Sequence, residues 1–323
     1  MPNRRALLIG VLALPAVLRH ARAQPAPATA PAPAPANPAF YRFKVGSYTA
    51  TTVHDGFGTR PVEGLILNKP LPEVQAALRA AFLPTDILVV PFTVTFIDTG
   101  RHLVAFDTGN GPNPNPNSGK LWENMAAANI DPARVTHVVM SHFHGDHIGG
   151  LIEPSGAPKY PQAAIIVPET EWRFWTDAAN ETRTPEYQRG TFANTARRFA
   201  PYKDRVQVLA DGAEAVPGIR AVAAYGHTPG HTAYHVADGP AEMIYLADTT
   251  NRPAPLAEHP DFHPVFDFDA DMAEASRRRM FDRVATDRVA VTGYHFPFPA
   301  YGHMDRTQSG YHFVPAEWSS IPS

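Results

Sequence analysis

One run, Ser141-His142-Phe143-His144-Gly145-Asp146-His147-Ile148-Gly149-Gly150, constrains this chain more than any other segment. It follows directly on residues 135–140, a short apolar stretch that reads as a buried strand. Three imidazoles and a carboxylate therefore leave the end of a strand together, where side chains can converge above a sheet edge. His142 and His144 are two apart, so an extended backbone turns both to one face. The chain turns at Gly145, so Asp146 and His147 can address a second point nearby. Gly149 and Gly150 permit a tight turn where side chains would crowd the site.

Three further segments repeat the arrangement. Tyr225-Gly226-His227-Thr228-Pro229-Gly230-His231-Thr232 follows a strand at 219–224, and Asp248 lies just past an apolar strand at 243–246. His295 ends the strand at 288–292. A metal-competent residue at the end of each of several strands is how a site is built on a sheet edge. The chain has no cysteine, so neither a disulfide nor a thiolate ligand is available. Any metal must sit on nitrogen and oxygen, and imidazole with carboxylate suits zinc, iron or manganese.

The remaining pattern supplies the sheets. Residues 41–45 alternate apolar and polar, turn at Gly46-Ser47 and return over 48–53. Strands at 93–98 and 102–107 flank Thr99-Gly100-Arg101, a hairpin signal, and further strands read at 163–167 and 232–237. Helical periodicity covers 71–81, 120–129, 169–177 and 271–285. The fold class is α/β, layered, with sheets inside. Net charge is −3, and Arg277-Arg278-Arg279, read as a solvated helix face, is the only basic run weighed. A nucleic-acid partner is therefore not expected.

The N-terminus reads as an export signal. Arg4 and Arg5 precede an apolar run at 6–18 that is too short to span a bilayer, and Ala21-Arg22-Ala23 gives a small-x-small cleavage pattern. Residues 1–23 are the expected signal peptide, with the paired arginines a partial match to the twin-arginine route. Residues 24–39 alternate proline and alanine as an extended linker, and the domain is expected over 40–323. The expected location is periplasmic or secreted, with no stable membrane insertion after cleavage.

The order His-x-His-x-Asp-His at 142–147, Gly-His-Thr-Pro-Gly-His at 226–231, then Asp248 and His295, resembles the metallo-β-lactamase superfamily. The resemblance covers nearly all of the chain beyond the linker. Phe40-Tyr41-Arg42-Phe43, His54-Asp55-Gly56, Val104-Ala105-Phe106-Asp107-Thr108-Gly109, His295-Phe296-Pro297-Phe298-Pro299 and Gly310-Tyr311-His312-Phe313-Val314-Pro315 resemble its methyl parathion hydrolase and lactonase-like branch.

That resemblance implies a four-layer αββα sandwich with the site at one edge. It implies that His142, His144 and His227 hold one ion, that Asp146, His147 and His295 hold another, and that Asp248 bridges them. Two divalent ions are expected, zinc first, with manganese, cobalt or iron also suited. Three protein ligands and a shared carboxylate leave each ion an open position, which marks a catalytic site. The implied reaction is attack by a bridging hydroxide on a lactone, carboxylic ester or related neutral ester, with Asp146 or Asp248 passing a proton to the leaving group. His231 and His303 are expected behind the ligands. Asp107 either orients a ligand histidine or only forms its Asp-Thr-Gly turn.

Trp175 and Phe192 are the expected substrate-binding walls, which would favour an apolar or aromatic substrate. The loop at 110–119 carries no aromatic, unlike branch members acting on aromatic phosphotriesters, so lactone or ester hydrolysis comes first. A phosphotriester hydrolase, an iron-dependent redox enzyme of sulfur dioxygenase type and a non-catalytic metal-stabilised binding protein are the alternatives. The partner is a small molecule, and a homodimer is left open.

Overall fold

Alternating and continuous apolar runs build two seven-stranded sheets. The structure, a computed structural model, describes residues 37–112 and 115–322. The expected signal at 1–23 and most of the linker at 24–39 lie outside the described residues. The first sheet runs in spatial order β1 (Phe40–Val45), β2 (Tyr48–Pro61), β3 (Ile87–Asp98), β4 (Leu103–Phe106), β5 (His137–Val139), β6 (Ala164–Pro168) and β7 (Val206–Leu209). The second contains β8 (Glu214–Val216), β9 (Ile219–Ala223), β10 (Thr232–Asp238), β11 (Ala241–Tyr245), β12 (Ala290–Thr292), β13 (Tyr301–Arg306) and β14 (Tyr311–Pro315), again as spatial neighbours in chain order. Seven helices connect or cover them: α1 (Leu71–Ala80), α2 (Leu121–Ala127), α3 (Gly145–Ile148), α4 (Glu169–Thr176), α5 (Gly190–Phe199), α6 (Pro253–Leu256) and α7 (Ala270–Asp287).

The layers follow from which faces are apolar. On β1, Tyr41, Phe43 and Val45 alternate inward and meet Val104, Phe106, Val139 and Ile166 of the same sheet. These pack on Ile219, Tyr234, Val236, Met243 and Tyr245 of the second sheet. Phe106 joins the two sheets by stacking on Tyr245, with centroids 4.8 Å apart. On the far side of the first sheet, Val94, Phe96, Val138 and Ile165 pack with residues of α1, α2, α4 and α5. On the far side of the second, Met280, Phe281 and Val284 of α7 cover Ile244 and Val291. Each large apolar side chain so buried contributes about 1.5–3 kcal/mol. The order is helix, sheet, sheet, helix, the four-layer α/β arrangement expected.

The strands change direction in a way that makes one edge functional. β1 to β4 are antiparallel hairpins, whereas β4, β5, β6 and β7 run parallel. β11 and β12 are likewise parallel. Parallel neighbours need crossover connections, which α2 and α7 help to supply, and their C-terminal ends then lie together.

Several elements extend or add to the sequence expectation. β2 continues past residue 53 to Pro61, because a bulge between His54 and Gly56 absorbs the break in alternation. Gly56 has φ +112° there, and a Cβ would lie 2.0 Å from the Asn117 carbonyl oxygen. β13 and β14 follow β12 and lie beyond the strands read from the sequence. No helix among the described residues is long and apolar enough to cross a membrane.

Candidate metal centre

The ends of strands β5, β9, β11 and β12 carry the chemistry. The loop after β5 delivers His142 and His144, and α3 begins at once with Asp146 and His147. The β9–β10 loop delivers His227, the turn after β11 delivers Asp248, and the loop after β12 delivers His295. The structure brings all seven together. His144 Nδ1 lies 3.1 Å from His142 Nε2 and 3.0 Å from His227 Nε2. His295 Nε2 lies 3.6 Å from Asp146 Oδ2, and His147 Nε2 lies 3.7 Å from the same oxygen. Asp248 stands between the sets. Its Oδ1 is 3.3 Å from His147 Nε2, and its Oδ2 is 2.9 Å from His295 Nε2 and 3.3 Å from His227 Nε2.

These groups fit divalent cations. Within each of the sets His142–His144–His227, His142–His147–Asp248 and Asp146–His147–His295, the ligand atoms lie within 4.8 Å of one another. His147 Nε2 and Asp248 Oδ1 are buried with no hydrogen-bond partner among the described residues. Such orphaned groups cost about 1–3 kcal/mol each unless something satisfies them, and a cation would satisfy both. The electrostatics agree. Burial pushes the Asp248 carboxyl up, but His295 and His147 outweigh it and hold the group well below the usual carboxylate range. Burial, and then His147 and His144, keep His142 well below its ordinary value. Burial and then His227 do the same to His144. Neutral imidazole and ionised carboxylate are the ligating forms. Burial would also lower His147 and His227. There, Asp248 with Asp146 and Asp107 lifts His147 well above its ordinary value, and Asp248 with Asp267 lifts His227 to about 9. Without metal, protons on these two rings supply positive charge that the buried carboxylates demand.

Each ring is aimed by its other nitrogen. His142 Nδ1 lies 3.0 Å from Ser141 Oγ, whose hydroxyl donates to Asp107 Oδ2 at 2.7 Å. His147 Nδ1 pairs with the same Asp107 oxygen at 2.9 Å, and the Tyr245 hydroxyl donates to it at 2.7 Å. His227 Nδ1 pairs with Asp267 Oδ1 at 2.9 Å, and His295 Nδ1 donates to the Pro91 carbonyl at 2.7 Å. The four Nε2 atoms are thereby left for the centre. His144 presents Nδ1 instead.

The supporting residues resolve as follows. Asp107 does both things weighed for it: it holds the turn, with φ +62°, and it orients His147. His231 donates from Nδ1 to the Ala224 carbonyl and accepts the Asp248 backbone N–H at Nε2, 3.0 Å away. Burial, followed by His227, drives its pKa down to about 4, so it is a neutral post beneath Asp248. His303 does not stand behind the ligands. It is exposed on β13, where alternation turns it outward, and it makes no hydrogen bond or ring contact with them among the described residues.

Trp175 and Phe192 likewise do not form the cavity wall expected of them. Both are buried in the core beneath α4 and α5, with their rings 4.9 Å apart. The packed faces of these helices turn them to the first sheet. Trp175 Nε1 instead donates to Glu171 Oε1 at 2.8 Å.

Three buried charges escaped the sequence reading. Glu171, fully buried, also accepts the backbone N–H of Phe143 and Gly230 and the Thr228 hydroxyl, so it ties the two histidine loops together. An acid immediately before the aromatic run Trp172-Arg173-Phe174-Trp175 was the available signal. Asp55 accepts from the backbone N–H groups of Asn110 and Leu121 and from the Asn110 side chain, anchoring both ends of the 110–119 loop. Asp267 joins His227 to Arg277, which donates to its Oδ2 at 2.9 Å. Arg277 is therefore not on a solvated face: it is 2% exposed, and it also donates to the carbonyls of Thr249, Pro260 and Phe262.

A cavity of about 760 Å³ opens onto His144, Asp146, His227, Asp248 and His295. Val90, Phe92 and Phe266 contribute apolar lining, while Thr191, Asn194, Arg197 and Arg198 of α5 and Arg60 of β2 contribute polar lining. Burial, followed by Arg197, pulls the half-buried Arg198 guanidinium below its ordinary value.

Known proteins share this architecture. The solved structure of AidC, a dizinc quorum-quenching lactonase in complex with a product, superposes with a TM-score of 0.82 at 22% identity, covering 87% of this chain and 98% of that one. Hydrolase AbOPH of the beta-lactamase superfamily gives a TM-score of 0.83 at 22% identity, covering 88% of this chain and all of that one (100%). In sequence, N-acyl homoserine lactonase AiiA of Bacillus thuringiensis subsp. kurstaki is 23% identical over 235 residues, 67% of this chain and 85% of its own length. The model of one family, the metallo-beta-lactamase superfamily, matches residues 89–291. That match runs from within β3 into β12 and takes in every ligand position except His295, so this chain belongs to the metallo-β-lactamase superfamily and is a metal-dependent hydrolase.

Proposed function

We propose that the enzyme hydrolyses a lactone or carboxylic ester at a two-metal centre. His142, His144 and His227 hold one ion, Asp146, His147 and His295 hold the other, Asp248 is shared, and zinc is the first choice of metal. The observation that carries this reading is the position of Asp248, one carboxylate whose two oxygens face both histidine sets. Bound there, paired divalent ions would polarise a carbonyl oxygen and bring the pKa of water towards about 7.

The chain's own groups do the rest. Asp146 borders the cavity and its side chain is 26% exposed, so its Oδ2 is placed to take the proton that the attacking water gives up and hand it to the departing alkoxide. Tyr294 fixes that residue by donating from its hydroxyl to the Asp146 carbonyl at 2.6 Å. Asp248 has no such freedom. It is 3% exposed, receives the Asn251 amide at Oδ2, and rests on His231 through its backbone, so it positions rather than carries a proton. Val90, Phe92 and Phe266 exclude water from one side of a bound acyl group.

The lactonase activity named for the sequence relatives supports lactone hydrolysis over the phosphotriester, iron-redox and binding-only readings. So does a 110–119 loop without an aromatic side chain. Export completes the proposal, with cleavage after Ala23, which N-terminal sequencing of the mature protein would read. The activity is tested with a panel of N-acyl homoserine lactones, aryl esters and aryl phosphotriesters. Turnover of a lactone or ester, abolished by a chelator and restored by zinc, is the expected result. Turnover confined to phosphotriesters, or none at full metal loading, would overturn it.

A further inference from the structure

Three guanidinium groups line the cavity that opens onto the metal centre, Arg197 and Arg198 from α5 and Arg60 from β2. None has a carboxylate within 4.0 Å among the described residues, and the undescribed ones include no aspartate or glutamate. Six other arginines, Arg277 and Arg306 among them, do pair with an acid. The cavity's own carboxylates, Asp146 and Asp248, are committed to the ligand set. The cavity lining therefore carries positive charge that no carboxylate within 4.0 Å among the described residues offsets.

The arginines on α5 are also held in place. Asn194 Oδ1 accepts from Arg197 Nη2 at 2.9 Å and from Arg198 Nε at 3.2 Å, and the Gly149 carbonyl accepts from Arg198 Nη1 at 2.5 Å. Gly149 lies in the turn that follows the ligand His147, so Arg198 is fixed directly to the metal-binding loop. Its Nη2 has no protein acceptor among the described residues. A half-buried guanidinium with Nε and Nη1 tied and Nη2 left over is arranged to receive an oxyanion. Arg60 stands on the opposite strand with its guanidinium 6.0 Å from the Phe266 ring centre.

We propose that the substrate is an ester or lactone that itself carries a carboxylate, which Arg198 binds, with Arg197 beside it on α5, while the ester lies over the metal centre. This rests on the hydrolase reading above and narrows its substrate class to lactones and esters that carry an acid group. A single half-buried guanidinium, backed by an exposed one, matches one carboxylate charge.

The test uses matched lactones and aryl esters whose side chain ends in a carboxylate or in the isosteric carboxamide, with the metal-loaded enzyme. Wild type should favour the acid in kcat/KM. Arg198→Met should cut that preference about 10- to 100-fold, chiefly through KM, with Arg198→Lys recovering part of it. Arg173→Met, which alters an exposed arginine paired with Glu169 on α4, should leave the preference unchanged. Calorimetric titration with cyclopentylpropionate and its amide reads the anchor without turnover, and wild type should bind the acid more tightly while Arg198→Met does not. Equal handling of acid and amide, or a preference that survives Arg198→Met, overturns the anchor and leaves the hydrolase reading standing. Failure to hydrolyse any pair counts against the hydrolase reading, and the titration still decides the anchor.

Discussion

Replacing Asp267 by Asn changes one atom of a carboxylate that is 2% exposed and that serves two buried donors at 2.9 Å, His227 Nδ1 and Arg277 Nη2. The substitution conserves volume, so it opens no cavity. It does remove the only acid paired with Arg277 among the described residues, and it offers one acceptor and one amide where two acceptors are needed. Removing one partner of a buried ion pair costs about 3–5 kcal/mol. Arg277 keeps the carbonyls of Thr249, Pro260 and Phe262, which places the loss at the lower end, about 3 kcal/mol. The second effect is on metal. A misaligned His227 should weaken metal binding about 10- to 100-fold, a further 1.4–2.7 kcal/mol or so in the loaded protein. Urea denaturation with and without metal, together with competition against a chromophoric chelator, separates the two. If the metal-free variant stays within about 1 kcal/mol of wild type and its metal affinity is unchanged, the chain from Arg277 through Asp267 to His227 does not do what is argued here.

Four further outcomes follow from the same geometry. The metal-free protein should be most stable near pH 6.5, and a denaturation series across pH checks both flanks. His227, lifted to about 9 by Asp248 and Asp267 against burial, adds stability below the unfolded pKa of about 6.5 that is lost as pH rises through 9; His231, lowered by burial to about 4, costs stability as pH falls from 6.5 to 4. Gly150→Ala should lower stability by about 1–3 kcal/mol or more and impair metal binding, because its Cβ would sit 1.9 Å from the Thr108 carbonyl oxygen; thermal unfolding and metal titration read this. Trp175→Ala should cost about 3–5 kcal/mol of stability while leaving substrate selectivity intact, whereas Phe92→Ala, at the cavity wall, should raise KM.

The clustering of the seven candidate ligands was legible because each segment that carries them is local. A strand end followed by His-x-His-x-Asp-His needs only the extended backbone and one turn to aim its side chains, and the parallel pairs β4–β5 and β11–β12 then bring separate strand ends to one edge. The residues behind the ligands were less legible, because their partners lie far off in sequence. His227 and Asp267 are 40 residues apart, and nothing in Asp267-Phe268-Asp269 distinguishes the buried acid from the helix-capping one at 269. The sidedness of α4 and α5 was misread for a related reason. An aromatic run such as Trp172 to Trp175 carries apolar residues on more than one face, and only the sheet beneath decides which ring is buried. Arg277 shows the converse: three consecutive arginines look alike, yet the middle of α7 faces a cage of carbonyls that accepts one of them.

The central claim is that seven residues from four loops hold two divalent ions. Elemental analysis of the mature protein, purified without chelator, tests it most directly, alongside the His142→Ala and His295→Ala variants. About two ions per chain in wild type, and about one in each variant, is the predicted result. A folded wild-type protein with well under one ion per chain, even after incubation with zinc, manganese or cobalt, would contradict it.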